Sequence, residues 1–224
     1  MSRAASLAWL ASACTYPTLS PALGEGTHVL RKDEVGVTVA TGGGGGPHAI
    51  AGNDATSLGG GLEGRVRIGL RGDQEIGLSL GAGIATKTTG EPPVIMGATL
   101  SYKLAVRPWL AFVGELGIMD KPISSTLIFA GSLAAILAIY DDRDKQVYTG
   151  LKGSLAIPRL RDARGDAEVV STAIGYAKLV NERVRLLAES GIFLGFGRVD
   201  SGGTITSANG FGAYGLSAFA YRFD

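Results

Sequence analysis

The feature that most constrains this chain is an alternation of apolar residues with polar or small ones, which runs from Glu34 to the end. Successive side chains of a β-strand point to opposite faces of a sheet, so this period predicts strands rather than helices. In one segment, Leu62, Val66 and Ile68 occupy one face while Arg65 and Arg67 occupy the other. Similar two-faced segments begin near Val35, Ile76, Ala98, Leu110, Val147, Val170, Val184 and Phe211.

The gaps between the predicted strands alternate in length, provided that the stretch from Leu127 to Tyr140 is counted as a strand. Short polar gaps occupy residues 71–74, 105–108, 141–145 and 181–182. Longer gaps lie between them, at residues 42–59, 86–93, 120–126, 158–167 and 198–209. A soluble sandwich has no physical reason for this alternation, whereas a transmembrane barrel has short turns at one end and long loops at the other.

The length of the chain fits the same architecture. Residues 34–224 divide into ten units of roughly 19 residues, and a tilted membrane strand needs about 9 to 11 residues to cross. Many of the 35 glycines fall on the face opposite the apolar residues, as expected where a narrow barrel leaves little internal volume. The sequence therefore predicts an all-β fold, a closed antiparallel transmembrane β-barrel of about ten strands. Counts of eight or twelve strands also fit.

One segment competes with this prediction. The stretch from Pro122 to Tyr140 has no charged residue and is close to the length of a membrane-spanning helix. It begins with Ser, Thr and β-branched residues and is surrounded by strand patterns, which favours a strand. A helix at this position stays an alternative.

The first residues have the plan of an export signal. Arg3 precedes an apolar stretch, and small residues come just before Cys14, the only cysteine in the chain. The segment from Leu10 to Cys14 resembles a bacterial lipoprotein signal, which implies that the cysteine is lipidated and becomes the new N-terminus. A plain secretory signal cleaved nearby is the alternative. We predict an export signal at 1–13, a disordered tether at 14–33 and the barrel at 34–224.

The chain ends in an alternating aromatic pattern formed by Phe219, Tyr221 and Phe223. From residue 34 onward, it resembles the small outer-membrane β-barrel proteins of Gram-negative bacteria. The resemblance implies that these aromatic residues are a signal for the outer-membrane assembly machinery. It also implies that outer-membrane lipids surround the barrel and that both termini lie in the periplasm.

Ten charged residues are predicted to face the lumen, and six of them are basic. They are Glu63, Arg65, Arg67, Glu75, Lys103, Glu115, Lys152, Arg185, Glu189 and Arg222. Charges inside a barrel are tolerated only when they are hydrated or paired. They predict either a lumen plugged by paired charges or a narrow water-filled pore with a mild preference for anions.

Little in the sequence indicates catalysis or cofactor binding. The charges nearly cancel, with 21 Lys and Arg against 20 Asp and Glu, so nucleic acid is not an expected partner. His28 lies in the predicted tether, and His48 lies close to Asp54 and Ser57, but the glycine-rich segment beside it would not hold a catalytic triad in place. We expect no enzymatic activity, no metal site and no cofactor.

These observations predict an outer-membrane barrel with a structural or interaction role. Its long loops, residues 42–59 and 198–209, would face outward and could bind a protein partner. A narrow pore for small solutes or ions is the alternative function.

Overall fold

The computed structural model describes residues 26–50, 53–85, 94–121, 126–159, 164–201 and 204–223. Ten strands in this part of the chain form one closed antiparallel barrel, so the predicted fold is confirmed. Each strand pairs with its neighbours in sequence, and β1 also pairs with β10, which leaves no free edge. The strands are β1 Val35–Ile50, β2 Asn53–Arg71, β3 Gln74–Ala85, β4 Val94–Arg107, β5 Leu110–Lys121, β6 Thr126–Asp141, β7 Lys145–Arg159, β8 Arg164–Leu179, β9 Val184–Ser201 and β10 Thr204–Phe223.

The segment that competed with the barrel is strand β6, so the prediction of a strand is confirmed and the helix alternative is wrong. Its inward side chains, among them Ile128 and Ile136, are buried, while its outward side chains, among them Leu133 and Ile139, are exposed. Both faces are apolar, which explains why the segment resembles a spanning helix in sequence. Within the described residues, no helix is long and apolar enough to span a membrane.

The outer surface of the barrel is an uncharged apolar belt. Leu116 and Leu133 are 70% and 75% exposed, and many other aliphatic side chains also project outward. Charged side chains on this surface lie near strand ends, as at Asp120, Lys178 and Arg198. A surface of this kind is stable only against hydrocarbon, and the belt spans about as many residues as a membrane strand requires.

Aromatic side chains border the belt at both ends, as they do in transmembrane barrels. Tyr102 and Tyr176 project outward near the end of the barrel that carries the short turns. Phe129 and Phe196 project outward nearer the opposite end.

The predicted long loops at residues 42–59 and 198–209 are wrong in extent. Strand β1 continues to Ile50 and β2 starts at Asn53, while β9 continues to Ser201 and β10 starts at Thr204. Cross-strand pairing runs through the glycine-rich segment without interruption. Glycine has no side chain that could show the alternation, but its backbone N–H and C=O groups pair as those of any residue do. The predicted short gaps are turns, at residues 72–73, 108–109, 142–144 and 180–183.

The inner surface combines large side chains with glycines that make room for them. The ring of Tyr148 occupies the position where a Cβ on Gly175, its neighbour on β8, would lie. Tyr148 is fully buried and belongs to an apolar cluster with Ile136, Phe193 and Tyr214. The lumen is therefore packed like a protein core over part of its height.

This packing predicts that Gly175→Val destabilises the barrel by about 1–3 kcal/mol, because the valine displaces the Tyr148 ring. The matched control is Gly64→Val, since a Cβ on the outward-facing Gly64 would meet nothing within 4 Å. The free energy of unfolding, measured in urea on protein refolded into lipid vesicles, checks this expectation. Equal stabilities of the two variants would contradict the packing described for the lumen.

Candidate functional site

The short-turn end of the barrel is covered by residues 26–33, which we call the N-terminal plug. The backbone N–H of Thr27 donates to Gln146 Oε1 at 3.0 Å, and the Gln146 amide donates back to Thr27 Oγ1 at 3.0 Å. The Thr27 hydroxyl also donates to the carbonyl of Pro108 at 2.7 Å. Both Thr27 and Gln146 are only 2% exposed. The sequence places these residues at the end of the tether and does not reveal their contacts.

The plug continues toward β1 through two further buried contacts. Lys103 Nζ donates to the carbonyl of His28 at 2.5 Å, and the N–H of Leu30 donates to Glu75 Oε2 at 2.9 Å. Asp33 then adopts a left-handed conformation with φ of 65°, and its N–H donates to the carbonyl of Gly69 at 3.0 Å. The plug is thus bound to several strands before the chain enters β1.

His28 lies on the rim of the plug and pairs with Asp141, with 2.9 Å between Nε2 and Oδ1. Burial lowers the pKa of His28 below its ordinary value of 6.5, and the positive charge of Arg185 lowers it further. Asp141 opposes this change but does not cancel it. His28 therefore resists protonation while the plug is in place.

Directly behind the plug, Glu75 joins basic side chains from two neighbouring strands. Arg67 Nη1 donates to both of its carboxylate oxygens, at 3.1 and 3.2 Å, and Lys103 Nζ lies 3.9 Å from Oε1. All three residues are at most 5% exposed. Because Glu75 also accepts the Leu30 N–H, this cluster holds the plug as well as the wall.

In the middle of the lumen, Glu115 connects opposite walls. Its carboxylate accepts hydrogen bonds from Lys152 at 2.5 Å, from Ser132 at 2.8 Å and from Arg65 at 3.4 Å. Arg65 also pairs with Glu63 at 3.0 Å. Arg65 lies on β2 and Lys152 on β7, which are five strands apart in a ring of ten. Side chains from diametrically opposite strands thus meet at one carboxylate.

A third cluster surrounds Glu189 on β9. Tyr148 donates to its carboxylate at 3.2 Å and Tyr214 donates at 3.0 Å. Tyr148 lies on β7 and Tyr214 on β10, so Glu189 ties three strands together. Phenolic hydroxyl groups satisfy this buried carboxylate while their rings fill the surrounding space.

Toward the end opposite the short turns, the lumen is lined by apolar and small residues. Ile95, Met119 and Ile128 form a cluster in which each side chain is at most 4% exposed. Glycines on β1 and β2, including Gly42 and Gly61, occupy inward positions on the other side. The apolar contacts at this level lie on one side of the wall, between β4, β5 and β6.

All ten charged residues that the sequence predicts for the lumen lie at inward positions. Seven of them form the clusters of Glu75, Glu115 and Glu189. Glu63 extends the Glu115 cluster, and Arg185 lies close enough to His28 to affect its charge. Arg222 lies at the short-turn end, where it donates to the carbonyl of Glu182 at 2.7 Å and approaches Glu34 at 3.9 Å.

The sequence did not single out Thr27, Ser132, Gln146, Tyr148 or Tyr214 as site residues. Two of them, Tyr148 and Tyr214, do fall on the inward face in the alternation pattern. That position, together with their size, is the signal that could have identified them. Gln146 lies on the same inward face of β7 as Tyr148, but its contact with Thr27 joins distant parts of the chain and has no local signal.

The remaining predicted sites are placed only in part. Phe219 and Phe223 project outward from the end of β10, and the ring of Tyr221 lies 4.7 Å from that of Phe223. Cys14 lies outside the described residues. His48 pairs with Ala55 through the backbone and Asp54 pairs with Ala49, but their side chains are not among those described. Within the described part, no three His, Cys, Asp or Glu residues gather in a way that could hold a metal ion.

No protein-family model and no curated protein matches this chain. Its fold is similar to that of the outer membrane protease OmpT from Escherichia coli, with 9% identity, coverage of 88% of this chain and 100% of that one, and a TM-score of 0.46. The fold is also similar to that of the β domain of the Bordetella autotransporter BrkA, with 13% identity, coverage of 84% of this chain and 98% of that one, and a TM-score of 0.49. The outer membrane protein OprG from Pseudomonas aeruginosa has 8% identity with this chain and a TM-score of 0.42, and the match covers 89% of this chain and 99% of that one. These low identities and scores assign no activity to this chain.

The position of His28 predicts that its imidazole titrates below pH 6.5 in the folded protein. Protonation then favours release of the plug, because the released histidine binds a proton more readily. Attachment of the plug should be strongest above pH 6.5 and weaken as the pH falls through that value toward the lowered pKa. An NMR titration in a His48→Gln background checks this. Asp141→Asn should lower the pKa further and Arg185→Gln should raise it, whereas a wild-type pKa above 6.5 would contradict the prediction.

The contacts of Glu115 predict that the contribution of each charge in this cluster to the free energy of unfolding depends strongly on the other charges. Glu115→Gln leaves Lys152 without its buried counter-charge, and either this variant or Lys152→Met should cost about 3–5 kcal/mol of unfolding free energy. The double variant should cost clearly less than the sum of the two single variants, because neither charge is then left alone. Urea unfolding in lipid vesicles measures this difference. Additive losses would show that the pair does not act as a unit.

Proposed function

We propose that this chain is an outer-membrane β-barrel of a Gram-negative bacterium whose lumen is closed to solutes and which acts through its surface. The observation that carries the proposal is the contact of Arg65 and Lys152 with Glu115 across the lumen. The role is structural or interaction-based, and it involves no enzymatic activity. Buried carboxylates such as Glu75 and Glu115 are neutralised by basic partners rather than presented to a substrate.

A conducting pore needs a continuous column of water. Here the plug, the Glu75 and Glu115 clusters and the apolar cluster of Ile95, Met119 and Ile128 follow one another along the lumen. Lys103, Glu115 and Lys152 are each at most 4% exposed. Pairing rather than hydration therefore stabilises these charges, which favours the plugged barrel over the narrow pore.

The uncharged outer belt with its aromatic borders supports a location in a membrane. An even number of strands brings both ends of the barrel sequence to the short-turn side, which is periplasmic in barrels of this kind. We include lipidation of Cys14 in the proposal. The 12 residue-to-residue steps from Cys14 to Gly26 can span roughly 40 Å when extended, which is enough to connect the mouth of the lumen with the adjacent leaflet.

The outward contact surface is a wall of paired strands rather than a set of long loops. Strands β2, β1, β10 and β9 are neighbours in the ring and contain 19, 16, 20 and 18 residues, whereas β3 and β5 contain 12 each. The longest strands exceed the span of the hydrocarbon by roughly 20 Å. This wall exposes Leu58 and Ile205 near its top. Apolar side chains on a rigid projecting sheet suit a protein partner.

Single-channel recording of the refolded protein in a planar bilayer tests the closed lumen. We expect a heat-modifiable band on an unboiled gel, as for an intact barrel, but no steady current. The positive control combines Glu115→Ala and Lys152→Ala with deletion of residues 26–33, because both the contact across the lumen and the cover of the short-turn end must be removed before current can appear. Steady anion-selective current from the wild-type protein would instead support the pore.

A further inference from the structure

The outer surface has a patch without large side chains at the seam where β1 and β10 close the barrel. Three cross-strand pairs form it, and we call these six residues the seam patch: Thr41 with Ser217, Gly43 with Gly215, and Gly45 with Ala213. All six occupy outward positions. The middle pair continues sideways into Gly60 on β2 and Ser190 on β9. Four adjacent strands therefore carry nothing larger than a serine at this level.

The seam patch lies in the part of the wall that faces hydrocarbon. Thr41 to Gly45 are the seventh to eleventh residues of β1, and a tilted strand needs about 9 to 11 residues to cross. Lipid chains pack against leucine as well as against glycine, so lipid contact requires neither small residues nor hydroxyl groups. Between transmembrane helices, the same residue types allow close approach of two backbones and hydrogen bonds across the contact. The patch therefore has the composition of a protein contact within a membrane.

Glycines also face outward on the opposite wall, from β5 to β7, but large leucines stand beside them. Gly131 pairs with Leu116 and Leu155, which both project from the surface. A second barrel would meet these leucines before it reached the glycine. At the seam, by contrast, three pairs in succession leave the backbone accessible.

The side chains around the seam patch compensate for the curvature of the wall. Strands β2, β1, β10 and β9 make up four of the ten strands in the ring, so a wall with uniform side chains would touch a second barrel only along a narrow line. Here the centre is small and the flanks are large. Leu58 and Leu62 project from β2, and Ile192 projects from β9. The flanks of two copies can therefore touch while their seams are in contact.

The seam patch is also self-complementary, because a large projection lies next to a surface that has no side chains. Phe211 is two residues beyond Ala213 on β10 and is 61% exposed. A two-fold axis along the seam places β10 of one copy against β1 of the other, so that each Phe211 meets Gly45 of the other copy. Such an axis is parallel to the membrane normal and keeps both copies in the same orientation.

The four strands that carry the seam patch also form the projecting wall, so a contact at the seam can continue beyond the hydrocarbon. Leu58 and Ile205 are exposed on this part of the wall. Each of the four strands has at least 16 residues, which gives their face an area of about 1000 Å². Each partner in a standard interface buries about 800 Å². The face is therefore large enough for a stable dimer.

We propose that a second copy of this chain binds along the seam patch, so that the barrel is a two-fold symmetric dimer in the membrane. This inference rests on the proposed function and names the partner of the projecting wall. A second copy suits the seam better than a different protein, because the small surface and the projection that fills it lie side by side on one chain. The seam patch contains no charge that would need a partner of opposite sign.

Counting subunits by single-molecule photobleaching tests the proposal. The full chain is labelled with one fluorophore at Cys14, its only cysteine, and refolded into vesicles over a range of protein-to-lipid ratios. We expect the wild-type protein to change from one bleaching step to two as the ratio rises. Gly215→Leu places a side chain in the centre of the seam patch and should lower the association constant by about tenfold or more.

The matched control is Gly153→Leu, on the outer surface of β7. A Cβ at Gly215 would meet only a backbone oxygen at 4.0 Å, and a Cβ at Gly153 would meet nothing within 4 Å. Both variants should therefore fold, which a heat-modifiable band on an unboiled gel checks. Ala213→Leu is a second variant with the same expected loss of association, because it enlarges a side chain that already projects outward.

Equal association of the wild-type, Gly215→Leu and Gly153→Leu proteins would overturn the proposal. Loss of the dimer in Gly153→Leu alone would overturn it too, because the contact would then lie on the other side of the ring. A heat-modifiable wild-type protein that stays monomeric at every ratio would refute the dimer but leave the proposed function in place. A wild-type protein without a heat-modifiable band would refute the proposed function itself.

Discussion

The carboxylate of Glu115 is the point at which opposite walls of the barrel meet, and the rest of the lumen is organised around that contact. Lys152 and Arg65 reach it from strands that stand five positions apart in the ring. A buried ion pair of this kind is costly to form and more costly to break, because either charge alone would lack solvation. The number and stagger of the strands set the width of the barrel, and at this level side chains from opposite walls are long enough to meet.

The two surfaces of the barrel solve opposite solvation problems with one alternating sequence. Outward positions are apolar because the surrounding hydrocarbon offers no hydrogen bonds. Inward positions can be charged because charges such as Glu75, Glu115 and Lys152 have partners on other strands. Similar contacts lie at other levels of the lumen, where Glu75 accepts a hydrogen bond from Arg67 and Glu189 accepts one from Tyr148. Aliphatic residues of the kind that form the core of a soluble protein cover the outside of this barrel.

The sequence predicts most of this architecture because the alternation of strand residues is visible wherever inward and outward side chains differ in polarity. It identified the strands and the short turns between them. It failed where side chains carry no contrast, as in the glycine-rich part of β1, whose pairing with β2 depends on the backbone alone. It also missed the contact of Thr27 with Gln146, which are 119 residues apart, since no local pattern records which distant residues share the mouth of a barrel.

The position of the N-terminal plug constrains the order in which the molecule is assembled. Its partners Glu75, Lys103 and Gln146 lie on three different strands, so the socket for the plug does not exist until these strands have been brought into register. The plug precedes β1 and is synthesised before any of them. A segment that is made before the strands is therefore among the last to reach its final contacts, and it can bind only after the wall around it has formed correctly.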